Sequence, residues 1–495
     1  MTSTYWAEST PYALVNNLVE IMFEQLGASL QAIGLTSLFH VPWNLKFLWG
    51  PVLDRYETKR RWLLWTEISL SLVIVGLAFV VGGGGDLWVA VSLGFLFLAF
   101  LSATHDIAID AFYLEALDES KQSAYVGWRA TFYRIGGIVM GGPILWLIGR
   151  AGWFLGILVI AAIMIGLTVY HWFALPDPER EQRPIGLLLR GFLKRRVLAG
   201  AGVLATLLLL ERQMPFVRPA WSVIHTWVAS LPVVGGFGLA SWVAIGLPIV
   251  VTAAALASLV FRRRNGSPRA EVLADDSGFL GAFTTFIAQP RALTILAFVV
   301  LYRVGESFLI KMRWPFLHKE LAMTLEQYSI LNGTVGTVAS VAATLIGGWA
   351  IGKIGLRRCI WPFVLGQNIL NLLYMVLALS PEPSGLGASV LGATIALEHV
   401  GAGLGTAVLM VFLMRCCHPN HKAGHMAILS ALMSVGFTVA GVSSGYLVMA
   451  AGYGNYFGLT FLATVPSMLL IPWLPYLDGR QPSEANSSAD EGLSN

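Results

Sequence analysis

Apolar runs of about twenty residues, each long enough to cross a bilayer as a helix, recur along the whole chain and constrain its fold more than any other feature. Reading each run to the charge, Pro or Gly that bounds it gives spans near 4–25, 29–49, 62–82, 87–110, 122–147, 152–174, 197–211, 238–261, 291–312, 325–352, 358–379, 386–414, 422–448 and 455–476. The seventh is the shortest. Composition agrees with a lipid solvent: 56% of residues are hydrophobic and 12% charged, where soluble domains carry about 25% charge. Too few charges remain to solvate a soluble surface of this size. The expected class is all-α, a polytopic bundle of about fourteen transmembrane helices.

The three cysteines exclude a disulfide scaffold. The N-terminal segment lacks a basic stretch and carries Glu8, Pro11, Asn16 and Asn17, so it reads as a retained first span rather than a cleaved signal. Orientation follows from Lys and Arg, which favour cytoplasmic loops. With the N-terminus inside, roughly 22 basic residues fall in inner loops and roughly 6 in outer ones. Lys46, Arg129, Arg134 and Arg303 are counted inside spans, and the other basic residues, among them Lys311 and Arg313 at the end of the span near 291–312, are counted to loops. Both termini are expected to be cytoplasmic.

The chain also repeats itself. Arg150-Ala151-Gly152-Trp153 resembles Ala450-Ala451-Gly452-Tyr453, and Gly136 and Gly141 match Gly436 and Gly441 at the same offset. The basic loop GPVLDRYETKRR (50–61) is mirrored by GWAIGKIGLRR (348–358). Parallel repeats of this kind mark transporters. They predict a six-helix half over 1–184, a two-helix central insertion over 185–276, a second half over 277–476 and a disordered tail over 477–495.

A charge inside the membrane is costly, so each one there is expected to meet a partner or a wet cavity. Asp106 and Asp110, one helical turn apart, face Arg129 and Arg134 on the next span; they form either a cytoplasmic gate or a static salt bridge that fixes packing. Arg303 and Glu306 are three residues apart, close enough to pair, and serve substrate or proton unless they only neutralise each other. Glu398 and His399 lie among small residues deep in a span, where an acid that takes up a proton would suit coupling. Asn16, Glu20 and Glu24 recur every fourth residue along the first span and suit a cavity wall, with Glu24 itself expected at the outer headgroups. The proton-coupling candidates are therefore Glu306, Glu398 and Glu20.

Two motifs fail. GWAIGK has the wrong spacing for a phosphate loop. Cys416, Cys417, His418, His421 and His425 fall in a short loop and read as loop residues rather than zinc ligands. No cofactor, metal, nucleophile–base pattern or nucleic-acid partner is implied. The expected partners are a small-molecule substrate, protons and the lipid bilayer.

Several segments resemble one family. LFHVPWNLKFLWGPVLDRY (38–56), SATHDIAIDAFYLEAL (102–117), LYRVGESF (301–308) and SALMSVGFTVAGVSSGYL (430–447) are similar to segments of the AmpG-type permeases of the major facilitator superfamily and the related acetyl-CoA transporters. The resemblance covers nearly the whole chain. It implies a proton-driven importer of anhydro-muropeptides in the bacterial inner membrane, working by alternating access, and not an enzyme. By matching motif it points to Lys46, Asp54, Asp106, Asp110, Arg303 and Glu306. Asp54 joins the gate group; Asn16, Lys46, Arg303, Asn332 and His399 form the expected substrate path. Two departures stand out: His105 replaces the usual Gln, and Gly333 follows Asn332 where the family has Lys. The rival readings are a transporter of another solute (acetyl-CoA-like, peptide, siderophore or drug) and a membrane sensor that transports nothing.

Overall fold

The computed structural model describes residues 2–46, 49–83, 88–117, 119–177, 285–380, 387–418 and 422–478. The expected central spans 197–211 and 238–261, the insertion that holds them and nearly all of the tail lie outside these residues. Among the described residues every long element is helical.

Eight helical stretches among the described residues are long and apolar enough to cross a membrane. Two of them, Thr131–Ala174 and Ile428–Trp473, run to 44 and 46 residues. At 1.5 Å per residue either would be about twice the thickness of the hydrocarbon core. Each is in fact divided, by Gly152 (φ 83°) and by Gly452 (φ 72°). Both φ values are positive, a region open to glycine at little cost. These are the two glycines matched by the 300-residue repeat, so the repeat seen in the letters is also a repeat of backbone conformation. The mirrored basic loops also turn through a positive φ, at Glu57 (54°) and Gly355 (87°).

We number the helices α1 (2–25), α2 (described over 30–45 and 50–55), α3 (Lys59–Gly82), α4 (Trp88–Ala116), α5 (119–151), α6 (153–174), α7 (Ala292–Lys319), α8 (Leu325–Ile354), α9 (Leu356–Ala378), α10 (Ala388–Arg415), α11 (422–451) and α12 (453–473). The count of fourteen would need the two central spans.

α1 and α2 are interrupted by polar residues and local rewinding. α1 passes through a π-helical turn at Leu14–Leu18, which contains Asn16. Further π-helical turns occur at Met140–Ile144 in α5 and at Ser329–Gly336 in α8. Such turns misalign the backbone ladder and are frequent at functional sites. α7 extends well beyond the expected end near residue 312, as Val304–Lys319 continues its second segment.

The described residues fall into two compact units, one within 1–12, 46–136 and 157–240 and the other within 13–45, 137–156 and 241–495. In the first, Leu53, Leu63, Leu64, Ile109, Phe112 and Tyr113 gather into one apolar cluster. In the second, Phe298, Val364, Leu409 and Phe412 belong to a larger one.

Close helix approach in the second unit rests on small residues. A Cβ at Gly445 would lie 2.0 Å from the Leu30 carbonyl oxygen, and one at Gly34 would lie 2.9 Å from that of Gly441. Backbone can come this near only where no side chain intervenes.

Candidate functional site

The first unit contains a charged cluster contributed by α1, α2, α4 and α5. Lys46 pairs with Asp106 at 2.6 Å, and Arg129 with Asp110 at 2.7 Å. The Tyr5 hydroxyl donates to Asp110 at 3.3 Å, and the Arg129 guanidinium lies over the Tyr5 ring at 4.6 Å. Carboxylate oxygens of Glu8, Asp106 and Asp110 lie within 4.8 Å of one another. The cluster therefore holds three acids and two bases. Glu8 entered the sequence reading only as a polar residue of the retained first span, not as a candidate for the site. Lys46, expected on the substrate path, is an ion-pair partner here. Arg134 is not brought to either aspartate, and no ion pair to it occurs among the described residues. Asp54 lies in Gly50–Arg55, and its side chain lies outside what is described.

The second unit contains several buried ionic sites along α7. Arg303 donates to Glu306, and Gln367 of α9 donates to the same carboxylate oxygen at 2.8 Å. Lys311 lies 3.1 Å from Glu20 of α1 and donates to Thr36 of α2 at 2.7 Å. Arg313 pairs with Glu398 of α10 at 2.9 Å, and His399 lies 2.8 Å from the same Glu398 oxygen. Glu24 accepts from the Trp314 indole at 3.1 Å and faces Lys319 at 3.6 Å. Glu24 is thus buried among partners rather than set at the headgroups, because α7 packs against the end of α1.

Lys311 and Arg313 correct the sequence reading. Counted there as loop charges, they are 2% and 7% exposed and lie inside a helix. A run of Lys and Arg lowers hydropathy and so imitates a span end; it cannot reveal carboxylates waiting on α1 and α10.

The remaining expected residues are placed as follows. Asn16 Oδ1 is 2.7 Å from His40 Nδ1, and His40 Nε2 is 2.8 Å from the Ser434 hydroxyl of α11. Asn44 donates to Thr438 at 3.0 Å. His399 Nδ1 lies 2.9 Å from the Ile395 carbonyl. Asn332 Oδ1 is buried without a hydrogen-bond partner among the described residues.

Gly333 explains its own identity. A Cβ there would sit 1.8 Å from the Gly141 carbonyl oxygen and 2.8 Å from the Gly142 nitrogen. The π-helical turns of α5 and α8 meet backbone to backbone at this point, and no side chain of any size fits.

Charges paired inside membrane-length helices and helices in close glycine contact are features that a membrane transporter can use. The sequence profile of the Major Facilitator Superfamily matches residues 1–310 and 295–494, and the chain belongs to that superfamily: it is a secondary transporter, and the resemblance to AmpG-type permeases holds. The anhydromuropeptide permease of Escherichia coli K12 is 24% identical over 472 residues, which cover 94% of this chain and 77% of that one. The putative transporter AmpG 4 of Rickettsia conorii is 20% identical over 477 residues, covering 94% of this chain and 93% of the relative. Among solved structures, the peptide transporter POT in complex with sulfate has a TM-score of 0.64 at 13% identity, covering 96% of this chain and 94% of that one. A bacterial homologue of the human lysosomal transporter Spinster, inward-facing and unoccupied, has a TM-score of 0.60 at 11% identity, covering 95% of this chain and 94% of that one. These last two share the fold.

Proposed function

We propose that this protein imports an anhydro-muropeptide or a closely similar peptidoglycan fragment across a bacterial inner membrane, driven by protons and working by alternating access. The observation that carries the substrate class is the 94% coverage by the anhydromuropeptide permease. In this reading the architecture is two six-helix halves and two extra central helices, with both termini in the cytoplasm. The distribution of Lys and Arg supports that orientation. A reporter fused after Arg480 is then expected to read cytoplasmic and one in the 380–385 loop external; the opposite pattern would reverse every inside and outside assignment.

With that orientation the joints of the second unit lie on the outer side. Segments of the first half (13–45 and 137–156) meet segments of the second through Glu20–Lys311 and Gly141–Gly333 toward the outer ends and through His40–Ser434 and Asn44–Thr438 deeper in the bundle. Together they act as the outer gate in its shut state. Lys46–Asp106 and Arg129–Asp110 belong to the inner side, where they tie the inner ends of α1, α2, α4 and α5, with Asp54 and Arg134 nearby in sequence.

Among the coupling candidates Glu306 is the first choice, on charge balance. Protonating Glu398 would strand the guanidinium of Arg313, whose side chain is 9% exposed, and protonating Glu20 would strand the ammonium of Lys311, at 3%. A buried unpaired charge costs several kcal/mol. Arg303, the partner of Glu306, has a side chain 25% exposed and can keep water when the acid is neutral. Arg303, Asn332, His399 and Asn16 line the proposed substrate path.

The test is uptake of a radiolabelled disaccharide anhydro-muropeptide into liposomes holding the purified protein. An inward proton gradient is expected to concentrate it, and Glu306→Gln is expected to abolish accumulation while leaving exchange between equal pools. No uptake by the unmodified protein would refute the substrate; gradient-driven accumulation by Glu306→Gln would refute the coupling residue.

A further inference from the structure

A second buried ionisable group lies apart from the sites above. Glu67 of α3, His105 of α4 and His171 of α6 are each 0% exposed. One Glu67 oxygen, Oε1, receives both rings: His171 Nδ1 at 2.7 Å and His105 Nε2 at 3.3 Å. His171 Nε2 reaches the Ser3 hydroxyl of α1 at 2.9 Å. The other carboxylate oxygen, Oε2, and His105 Nδ1 have no hydrogen-bond partner among the described residues. All four residues belong to the first unit.

We propose that Glu67, His105 and His171 form a proton-binding site, distinct from Glu306, that holds one proton whenever it is enclosed. The argument is charge balance. An ionised Glu67 beside two neutral imidazoles leaves a net negative charge shut off from water, which is strongly disfavoured. No Lys or Arg among the described residues pairs with Glu67. On α4 the neighbouring Asp106 and Asp110 turn instead to Lys46 and Arg129. On α1, Tyr5 and Glu8 join that same cluster. On α6, Tyr170 is exposed, and on α3, Arg60 donates to the carbonyls of Trp172 and Leu175 while Arg61 pairs with Glu57. One added proton, carried by the two imidazoles beside the ionised Glu67, makes the site neutral.

The hydrogen bonds accommodate that proton. A hydroxyl both donates and accepts, so Ser3 can donate to a neutral His171 or accept from its imidazolium without moving. The open lone pairs of Glu67 and His105 give an arriving proton or water a place to bind. Loss of the proton leaves the charge bare and therefore requires water to enter, so occupancy is tied to enclosure. His105 and Asp106 are consecutive on α4 and face different partners, so a tilt of α4 that hydrates the one strains the Lys46–Asp106 pair of the other.

The test needs no substrate, so it stands apart from the muropeptide reading. The full-length protein, carrying ring-15N histidine, is titrated in lipid nanodiscs from about pH 8.5 to about pH 5, the range in which imidazoles titrate. The two rings are assigned by their loss in His105→Gln and His171→Gln. In the unmodified protein they are expected to change together, in one joint step of a single proton. Glu67→Gln is expected to abolish that step and leave both rings neutral to the end of the titration. If both rings stay neutral in the unmodified protein, or titrate as two independent exposed imidazoles, or if Glu67→Gln leaves their titration unchanged, the proposal is wrong. Should Glu67→Gln not fold, the joint step in the unmodified protein decides the matter.

Discussion

Arg313→Met is expected to destabilise the protein by about 3–5 kcal/mol, the usual cost of removing one partner from a buried ion pair. Arg313 is 7% and Glu398 1% exposed, so neither charge can turn to water when the other is lost. The methionine fills much of the volume, which confines the effect to charge. His399, 2.8 Å from the Glu398 oxygen, can compensate in part by holding a proton. The reciprocal change, Glu398→Gln, strands a guanidinium that cannot give up its proton and is expected to cost at least as much. Replacing both residues together is expected to recover most of the loss, because an apolar pair of similar shape is often as stable as the ionic one. Thermal unfolding of the three variants in detergent, read as a double-mutant cycle, checks this. Additive losses in the double variant would mean that the two residues do not stabilise each other.

Arg313 also shows where a single sequence stops being informative. The spans were legible because the bilayer demands about twenty apolar residues with every backbone group bonded internally; that requirement is local and leaves its mark in consecutive letters. The repeat was legible for a similar reason. Gly152 and Gly452 each need a left-handed turn, and only glycine enters it freely, so the same letter returns at the same place. Ion pairs are different. Arg313 and Glu398 are 85 residues apart, and nothing in either segment encodes the other. A basic residue near the end of an apolar run looks the same whether it enters water or meets an acid from another helix. The acids and bases of α4 and α5 were legible as a group because they are close in sequence. Glu8 and Lys46, which complete their cluster, were respectively missed and given another role. Glu67 and His171 passed unnoticed as isolated polar letters within apolar spans.

Gly333 was visible in the sequence as a departure, the glycine that stands where the resemblance leads one to expect lysine, but its reason is steric and needs coordinates. Gly333→Val is expected to lower transport by roughly tenfold or more, because overpacking of about 1–3 kcal/mol would act directly on one conformational equilibrium. The first added carbon would already lie 1.8 Å from the Gly141 carbonyl oxygen. That atom is backbone, in the π-helical turn region of α5, and cannot rotate aside. The contact between α5 and α8 must therefore part. Gly348→Val, on the same helix, supplies the control: a Cβ there meets nothing within 4 Å, so it is expected to leave transport and geometry unchanged. Spin labels at Arg150 and Glu326, whose side chains approach to 3.9 Å, report whether α5 and α8 have separated. The expected result is a longer label distance in Gly333→Val than in either the unmodified protein or Gly348→Val, together with lost uptake. Uptake lost at unchanged distance would place the defect elsewhere than in this contact. Unchanged uptake with the valine in place would mean that the joined arrangement of α5 and α8 is not one the transport cycle visits, and the outer gate would then have to be sought among the polar pairs alone.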